Sequence, residues 1–249
     1  MSTIDWLNSE EQILVRIVAN TQNLANAIDF VLVSAFPENP YRHHLHIAVN
    51  VPRIKLGLKV AEKPGDIDLL IVPFLHDQLL AHDTMAIEAK IIRPTFENPG
   101  RNANSMGHTQ VTGLARDGFP YVGLLHISVP ASLPENLHWQ VPLISGQLDQ
   151  EGKLIEIGKR YEFDPFPLLS ADRQEGRLQA LKLGRHIAYS SHAITLSADK
   201  QRITGNTMGN SKGGTRNPRQ SDCLVSNIER LLREAPQIFK TIRWCDKPS

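Results

Sequence analysis

Two apolar stretches with charged residues at alternate positions, DIDLLIVPFL (66–75) and MAIEAKIIR (85–93), decide the predicted fold. Short runs of Ile, Leu and Val are typical of β-strands, whose successive side chains point to opposite faces. Glu88 and Lys90 therefore share one face of the second strand. If the two strands pair antiparallel, Asp68 lies opposite or diagonal to Glu88. The pattern predicts two carboxylates and one ammonium group at one place in a sheet.

The segments on either side of these strands indicate the fold class. Apolar residues recur at helical spacing before the strands, and a nearly continuous apolar run after them is typical of a strand buried on both faces. The predicted elements are a helix over 9–35, strand-like runs at 44–51 and 53–60, a loop over 94–107, a helix near 106–117 and a buried strand over 121–129. We expect an α/β (α+β) fold with a mixed sheet, in the order helix, three-stranded meander, helix, strand.

The C-terminal half of the chain shows weaker periodicity. Its predicted elements are strands near 139–144, 153–157 and 187–196, helices near 172–183 and 219–234, and a flexible Gly/Asn-rich loop over 205–220. Neither an internal repeat nor a linker is recognisable. We predict a single domain over residues 1–249, with a core over about 9–129 and a basic C-terminal elaboration over about 173–249.

The composition is that of an ordinary globular protein, since 41% of the 249 residues are hydrophobic and 21% are charged. These values argue against a disordered or collagen-like chain. Cys223 and Cys245 lack CxxC spacing, which argues against a disulfide framework or a structural zinc site. No run approaches the roughly 18 apolar residues of a membrane span, and the N-terminus lacks a signal-peptide pattern. We expect a cytoplasmic protein that does not enter a membrane.

The charge is unevenly distributed along the chain. Residues 1–172 contain 13 basic and 20 acidic residues, a balance of −7, whereas residues 173–249 contain 14 basic and 6 acidic residues, a balance of +8. Such asymmetry favours a polyanionic partner for the basic part. The alternative is that the near-neutral total averages two ordinary solvated surfaces.

The charged residues of the two strands suggest metal chemistry. Carboxylate oxygens from separate strands are the ligands that Mg²⁺ prefers, usually with several waters retained. A protonated lysine beside them cannot bind the metal, but it can orient an attacking water or stabilise charge on a phosphoryl oxygen. The alternative is that Glu88 and Lys90 either decorate a solvent-exposed face of the strand or form an ion pair. Asp66 is either a further carboxylate ligand or a residue that caps the turn at Pro64 and Gly65.

The motif Gly65–Leu70 followed by Glu88-Ala89-Lys90, with 19 residues between Asp68 and Glu88, resembles the core motif of the PD-(D/E)XK nuclease superfamily. That superfamily includes restriction endonucleases, Holliday-junction resolvases and repair nucleases. Its common restriction-endonuclease-like core has the order helix, three-stranded meander, helix, strand. The resemblance covers about residues 9–129, and it departs from the named motif because no proline precedes Asp68.

The resemblance implies a role for each residue of the cluster. Asp68 and Glu88 are the metal-binding carboxylates, and Lys90 is the catalytic lysine. The backbone carbonyl of Ala89 is a further metal ligand, and Gln110 takes the place of a catalytic polar residue that many members carry on the next helix. An acidic residue of the first helix joins the metal site in some members, and the candidates here are Glu10 and Glu11.

Two sets of basic residues are candidate phosphate contacts. The first set, in the loop predicted over 205–220, is Lys212, Arg216 and Arg219. Mobile basic loops can wrap a duplex and become ordered on binding. The second set, on one face of the strand predicted over 53–60, is Arg53, Lys55 and Lys59. This second set is either a DNA-binding surface or an ordinary solvated one.

Together these observations predict a Mg²⁺-dependent nuclease, with Mn²⁺ able to substitute, that hydrolyses phosphodiester bonds in double-stranded DNA. An endonuclease of restriction, defence or repair type is expected, and a homodimer would explain cleavage of both strands. One alternative is a non-catalytic nucleic-acid-binding or assembly protein that retains the fold. Another is a metal-dependent hydrolase of a small phosphorylated substrate.

Overall fold

The protein is built around a mixed β-sheet that helices cover on both faces. A computed structural model describes residues 5–59, 65–99, 104–197 and 199–244. The helices are α1 (Glu10–Ala19), α2 (Thr21–Ala35), α3 (His108–Asp117), α4 (Phe166–Ala180) and α5 (Asp222–Glu234). The strands are β1 (His44–Val51), β2 (Ile67–Leu75), β3 (Gln78–Leu79), β4 (Met85–Ile92), β5 (Tyr121–Ser128), β6 (Trp139–Leu148), β7 (Leu154–Phe163), β8 (Ile187–Leu196), β9 (Ile203–Lys212) and β10 (Lys240–Ile242).

The main sheet has eight strands within the described residues, in the order β10-β1-β2-β4-β5-β8-β9, and β3 pairs with β2. β1, β2 and β4 form an antiparallel meander, after which α3 crosses over so that β5 lies parallel to β4. β8 is parallel to β5, and β9 is antiparallel to β8. The mixed α/β class is therefore confirmed. The basic C-terminal segment contributes β8, β9 and β10 to this same sheet.

Alternate residues of the central strands pack against different helices. On one face Leu69 and Ile87 join the core beneath α1 and α2. On the other face Leu70 and Ala86 join a second core that includes residues of α3 and α5. The two cores explain why β2 and β4 are so apolar, since both faces are covered. No helix among the described ranges is long and apolar enough to cross a membrane.

The helix predicted over 9–35 is wrong as a single element, because it divides into α1 and α2 at Asn20. Asn20 has an extended backbone (φ −108°, ψ 117°), and its side chain accepts a hydrogen bond of 2.9 Å from the Asn23 N–H. Asparagine is a favoured N-cap because it satisfies an orphan amide of the new helix. The apolar spacing continues across the break and therefore does not reveal it.

The strand predicted over 53–60 is also wrong. Arg53–Leu56 forms a 3-10 helix that starts after Pro52 and ends at Gly57, which has a φ of +70°. Leu56 is fully buried in the second core, so its apolar character reflects a turn that packs inward rather than a period-two strand. Position 60 lies outside the described residues. The basic stripe expected on a face of this strand therefore does not exist.

The flexible loop predicted over 205–220 is wrong for its first half, because β9 runs to Lys212 and pairs with β8. Gly209 allows a close approach to α4. A Cβ atom at this position would lie 2.4 Å from the Ser191 hydroxyl and 3.2 Å from the Ala171 carbonyl oxygen. Glycine is needed at this position because a side chain would clash with α4 and β8. Composition alone does not distinguish such a glycine from one in a flexible loop.

Candidate catalytic site

The two central strands bring the predicted acidic and basic residues together. β2 and β4 pair antiparallel with Leu69 opposite Ile87, which sets Asp68 beside Glu88. The Ala89 N–H donates a hydrogen bond of 2.7 Å to Asp68 Oδ2. Lys90 Nζ lies 2.7 Å from Glu88 Oε1, and the side chains of Lys90 and Glu88 are only 16% and 5% exposed. Glu88 and Lys90 therefore do form the ion pair of the alternative interpretation, but it is largely buried and does not lie on a solvent-exposed strand face.

Burial and mutual charge perturb every titratable member of this cluster. Burial, followed by the charge of Glu88, raises the pKa of Asp68 to about 7, although the Ala89 N–H opposes the shift. Burial also raises the pKa of Glu88 despite the opposing ammonium of Lys90. Burial lowers the pKa of Lys90, but Glu88 and then Asp68 outweigh it, so that the net pKa is raised. Lys90 therefore stays protonated, while the two carboxyls compete for ionisation.

The first helix brings one of its two acidic residues to the cluster. The charge of Glu10 raises the pKa values of both Asp68 and Glu88, so Glu10 acts on the same site from the start of α1. Glu11 instead lies on the surface, where its Oε2 accepts a hydrogen bond of 3.4 Å from Asn50. Of the two candidates on this helix, Glu10 is the one whose charge acts on Asp68 and Glu88.

Asp66 does not join the cluster. It is exposed, and its Oδ1 accepts a hydrogen bond of 3.3 Å from the Arg53 N–H. Asp66 therefore bonds to the first residue of the 3-10 helix Arg53–Leu56, and this contact does not test whether it caps the turn at Pro64 and Gly65. The turn at Pro64 lies outside the described residues.

Gln110 lies in the first turn of α3, whose start is held close to Lys90. Gly107 precedes the helix with a φ of +79°, and a Cβ atom there would lie 2.5 Å from a methyl group of Leu124 and 3.4 Å from Lys90 Cγ. Only glycine fits this close approach without displacing a neighbour. Gln110 Oε1 is buried and has no hydrogen-bond partner among the described residues. A buried acceptor of this kind is costly unless a donor reaches it.

His126 is a part of the site that sequence reasoning missed. It lies on β5 in register with Lys90 and is fully buried. Its Nε2–H donates a hydrogen bond of 2.9 Å to the carbonyl of Met106, and Nδ1 lies 3.4 Å from the amide oxygen of Gln174 on α4. Burial lowers the pKa of His126, which favours the neutral ring. The available signal was a single histidine inside the otherwise apolar strand predicted over 121–129.

The oxygen atoms at this site are of the type that binds Mg²⁺ or Mn²⁺. Asp68 and Glu88 offer carboxylates, the Ala89 carbonyl is a further oxygen, and Mg²⁺ retains waters for its remaining positions. No group of three or more His, Cys, Asp or Glu residues suited to a metal occurs in the described part of the chain. The fit therefore rests on the two carboxylates, whose raised pKa values a divalent cation would relieve.

The structure changes the interpretation of two of the predicted DNA-binding residues. The Arg53 guanidinium is 3% exposed and donates hydrogen bonds of 2.6 and 3.0 Å to Asp117, so the prediction that it contacts DNA is wrong. Arg216 forms an ion pair with Asp83, donates 2.6 Å to the His82 carbonyl and stacks 4.9 Å above the Tyr121 ring. Both guanidinium groups therefore bind other parts of the protein and stabilise the fold.

Other basic side chains remain at the surface, among them Lys55, Lys212 and Arg219. Burial lowers the pKa of His186, and the positive charges of Arg219 and Arg185 lower it further. These two arginines are therefore close enough to His186 to form a local group of basic residues. Arg177 of α4 and Lys90 both act electrostatically on His126. Apart from these contributions, α4 is balanced, since Asp172 and Glu175 accompany Arg173 and Arg177.

Comparisons of the chain with protein-family models, with curated proteins and with solved structures found no match. The functional assignment therefore depends on the residues and their geometry.

Proposed function

We propose that this chain is a Mg²⁺-dependent nuclease that hydrolyses phosphodiester bonds in double-stranded DNA, and that Mn²⁺ can replace Mg²⁺. The observation that carries the proposal is the buried pair Asp68 and Glu88 with Lys90 beside it. Burying two acids and an ammonium group is costly even when they are paired. Such arrangements are concentrated at functional sites.

Each residue of the cluster has a role in the proposed reaction. Asp68, Glu88 and the Ala89 carbonyl hold the metal, which when bound lowers the pKa of a water and neutralises a scissile phosphate. Lys90 stays protonated and orients the attacking water or stabilises charge on the phosphoryl oxygens. Gln110, in the first turn of α3, is assigned a polar role in orienting that water on the basis of the resemblance. Glu10 adds negative charge from the start of α1.

The element order supports the proposed membership of the PD-(D/E)XK superfamily. Helix α2, the antiparallel meander β1-β2-β4, the crossover helix α3 and the parallel strand β5 follow one another in the order of that core. The acidic and basic motif residues lie on the second and third strands of the meander, as the resemblance implies. An endonuclease of restriction, defence or repair type is proposed on this basis.

Surface charge supports nucleic acid as the substrate. Lys212 and Arg219 are exposed basic side chains in the C-terminal part of the chain. Backbone phosphates bind such surfaces because counterions are released.

Incubation with supercoiled plasmid and Mg²⁺ or Mn²⁺ tests the proposal. Wild-type protein should nick or linearise the plasmid, and Glu88→Gln should abolish cleavage, because it removes a metal ligand with little change in volume. Glu11→Gln is the matched control, since it removes an exposed carboxylate of α1 outside the cluster and should cleave as wild type does. Full activity of Glu88→Gln would overturn the assigned site. Tight, metal-independent binding of DNA by a wild-type protein that never cleaves would instead favour a non-catalytic binding protein.

A further inference from the structure

A small pocket lies between α4 and the segment that follows β4. Its volume is about 190 Å³, and its apolar lining includes Phe96 and Pro99 of that segment and Phe166 and Leu169 of α4. Pockets that enclose a whole drug-sized ligand have volumes of roughly 300–1,000 Å³. This pocket is therefore suited to a single ring system rather than to a larger molecule.

One face of α4 supplies much of the pocket. Phe166, Leu169, Ser170 and Arg173 all line it, and their spacing places them on the same side of the helix. Phe166 and Ser170 are buried, whereas Leu169 and Arg173 are exposed. The pocket therefore combines an enclosed part, formed by a phenyl ring and a hydroxyl group, with an open mouth.

Phe96 brings a second phenyl ring to the pocket from a turn closed by hydrogen bonds. The Asn98 N–H donates 3.1 Å to Thr95 Oγ1, and the Thr95 N–H donates 3.4 Å to the Asn98 carbonyl. The Phe96 side chain remains 54% exposed on this turn. Exposed aromatic rings of this kind are platforms on which the bases of nucleic acids stack.

The hydroxyl group of Ser170 requires a polar partner from outside the described residues. Ser170 Oγ is buried and has no hydrogen-bond partner in the part of the chain that the structure describes. A buried polar group without a partner is costly. A serine hydroxyl can both donate and accept a hydrogen bond, so the polar edge of a ring would satisfy it, whereas a purely apolar group would not.

The charges around the pocket favour a neutral ring over a free phosphate. Arg173 lines the pocket, but Asp172 follows the same helix directly before it, and Glu97 follows Phe96 in the turn. These acidic neighbours offset the positive charge of Arg173. A guanidinium group also stacks on planar rings. The ligand that fits the size, the two phenyl rings, the hydroxyl and the guanidinium is a planar ring with a polar edge, which is the chemistry of a nucleobase.

Both elements that form the pocket lead to the candidate catalytic cluster. β4 carries Lys90 and continues to Phe96, and a Cβ atom at Gly107, at the far end of the same connection, would lie 3.4 Å from Lys90 Cγ. On α4, the amide oxygen of Gln174 lies 3.4 Å from Nδ1 of His126, which is in register with Lys90. The pocket therefore borders the cluster on the same face of the sheet.

We propose that this pocket holds one unstacked base of the bound nucleic acid, next to the catalytic cluster. The base stacks against Phe96 and forms a hydrogen bond with the Ser170 hydroxyl. A hydroxyl that donates or accepts does not select one base, so the pocket is tolerant of sequence. The inference rests on the proposed function, because it states how the substrate of that reaction is bound. A base that is already unpaired enters most easily, since extrusion from a duplex costs free energy.

Fluorescence anisotropy with two labelled duplexes tests the proposal, in a chelator so that no cleavage occurs. One duplex contains a single unpaired nucleotide, and the other has the same backbone with the base of that nucleotide removed. Wild-type protein should bind the first about 5- to 150-fold more tightly, the range for stacking of one base. Phe96→Ala should abolish this preference. Ile54→Ala, which removes an exposed apolar side chain from the 3-10 helix Arg53–Leu56, is the matched control and should keep it.

Ser170→Ala provides a second test that separates binding from folding. It should reduce the preference by about 2- to 10-fold, the scale of one hydrogen bond, without lowering the melting temperature, because the hydroxyl has no partner within the described residues. A lowered melting temperature with an unchanged preference would contradict the proposal. Equal affinity of wild-type protein for the two duplexes would overturn it while leaving plasmid cleavage, and so the proposed function, intact. Failure to bind either duplex would contradict the proposed function as well.

Discussion

The Ala89 N–H donates a 2.7 Å hydrogen bond to Asp68 Oδ2, so that a backbone amide of β4 fixes the carboxylate of β2 next to Glu88 and Lys90. This bond uses the peptide unit between the two charged residues of β4, whose side chains point to the same face. The arrangement therefore presents both carboxylates and the Lys90 ammonium in one place without a flexible segment between them. Preorganised charge of this kind is what stabilises developing charge in catalysis.

Replacing Lys90 by alanine should separate metal binding from turnover. Metal affinity should stay the same or rise, because a neighbouring positive charge is removed, whereas turnover should fall by at least about 10²-fold, the scale for losing one preorganised electrostatic group. Calorimetry with Mn²⁺ and plasmid cleavage at saturating metal measure the two effects. Lys55→Ala, which removes an exposed ammonium outside the cluster, is the control. Lost metal affinity with unchanged turnover would contradict the role of Lys90.

The pKa of Asp68 predicts how stability depends on pH in the metal-free protein. This pKa is raised from an ordinary value of 3.8 to about 7 by burial and then by Glu88. Between these values the folded protein binds more protons than the unfolded chain, so the free energy of unfolding should fall as the pH rises through this window. Asp68→Asn removes the ionisation and should raise the melting temperature at pH 8 by at least about 2 °C.

Thermal melts from pH 4 to pH 8 in the presence of a chelator measure this effect. The gain in melting temperature should shrink towards the acidic end of the window, where the wild-type carboxyl is protonated. Asp66→Asn removes an exposed carboxylate near the start of the same strand and serves as the control. An Asp68→Asn variant that is less stable than wild type at pH 8 would contradict this prediction. It would show that Lys90 and the Ala89 N–H outweigh the cost of burying the ionised Asp68 carboxylate.

The central strands and their charged residues were predictable because local rules suffice there. Period-two alternation decides which residues of β4 share a face, and the short connection decides which strands pair. Arg53 was not predictable in the same way, because its burial depends on Asp117, which lies 64 positions away in sequence. An isolated basic residue next to a proline gives no local sign of such a partner. The stripe interpretation failed for this reason.

The site residues that follow strand alternation, such as Glu88 and Lys90, were predictable from the sequence, whereas the others were not. Gln110 was named only through the resemblance, which assigns a polar residue to the helix after the third strand. His126 depends on the carbonyl of Met106, a residue with a φ of +53°. Positive φ in a non-glycine residue is rare and is maintained by its surroundings. The periodicity of apolar residues does not reveal a residue with positive φ. The hydrogen bond between His126 of β5 and the Met106 carbonyl before α3 was therefore seen only in the structure.

His126 should act as a positioning residue for the start of α3. His126→Leu removes the donor to the Met106 carbonyl and should lower kcat by about 10- to 100-fold, as is typical when a residue that supports a site is lost. KM for DNA should change little, because His126 is buried away from the substrate. Steady-state cleavage of a labelled duplex gives both constants.

His126→Asn keeps a side-chain N–H and provides the matched control for this experiment. If His126 positions α3 through that donor, the asparagine variant should recover part of kcat. Thermal melts identify any loss of packing shared by the two variants. Equal activity in His126→Leu and His126→Asn, with equal melting temperatures, would indicate that His126 acts only by filling the core.

The exposed basic residues should account for part of the salt dependence of DNA binding. Replacing Lys212 and Arg219 together by alanine should weaken binding to all sequences alike, and it should flatten the slope of log affinity against log salt by up to about 1.8, since each phosphate contact contributes about 0.9. Fluorescence anisotropy at several salt concentrations measures the slope. Arg216→Ala is the informative comparison, because Arg216 forms an ion pair with Asp83. This substitution should lower the melting temperature but change the salt slope little. An unchanged slope in the double variant would contradict DNA contact by Lys212 and Arg219 and would leave exposed Lys55 as the candidate.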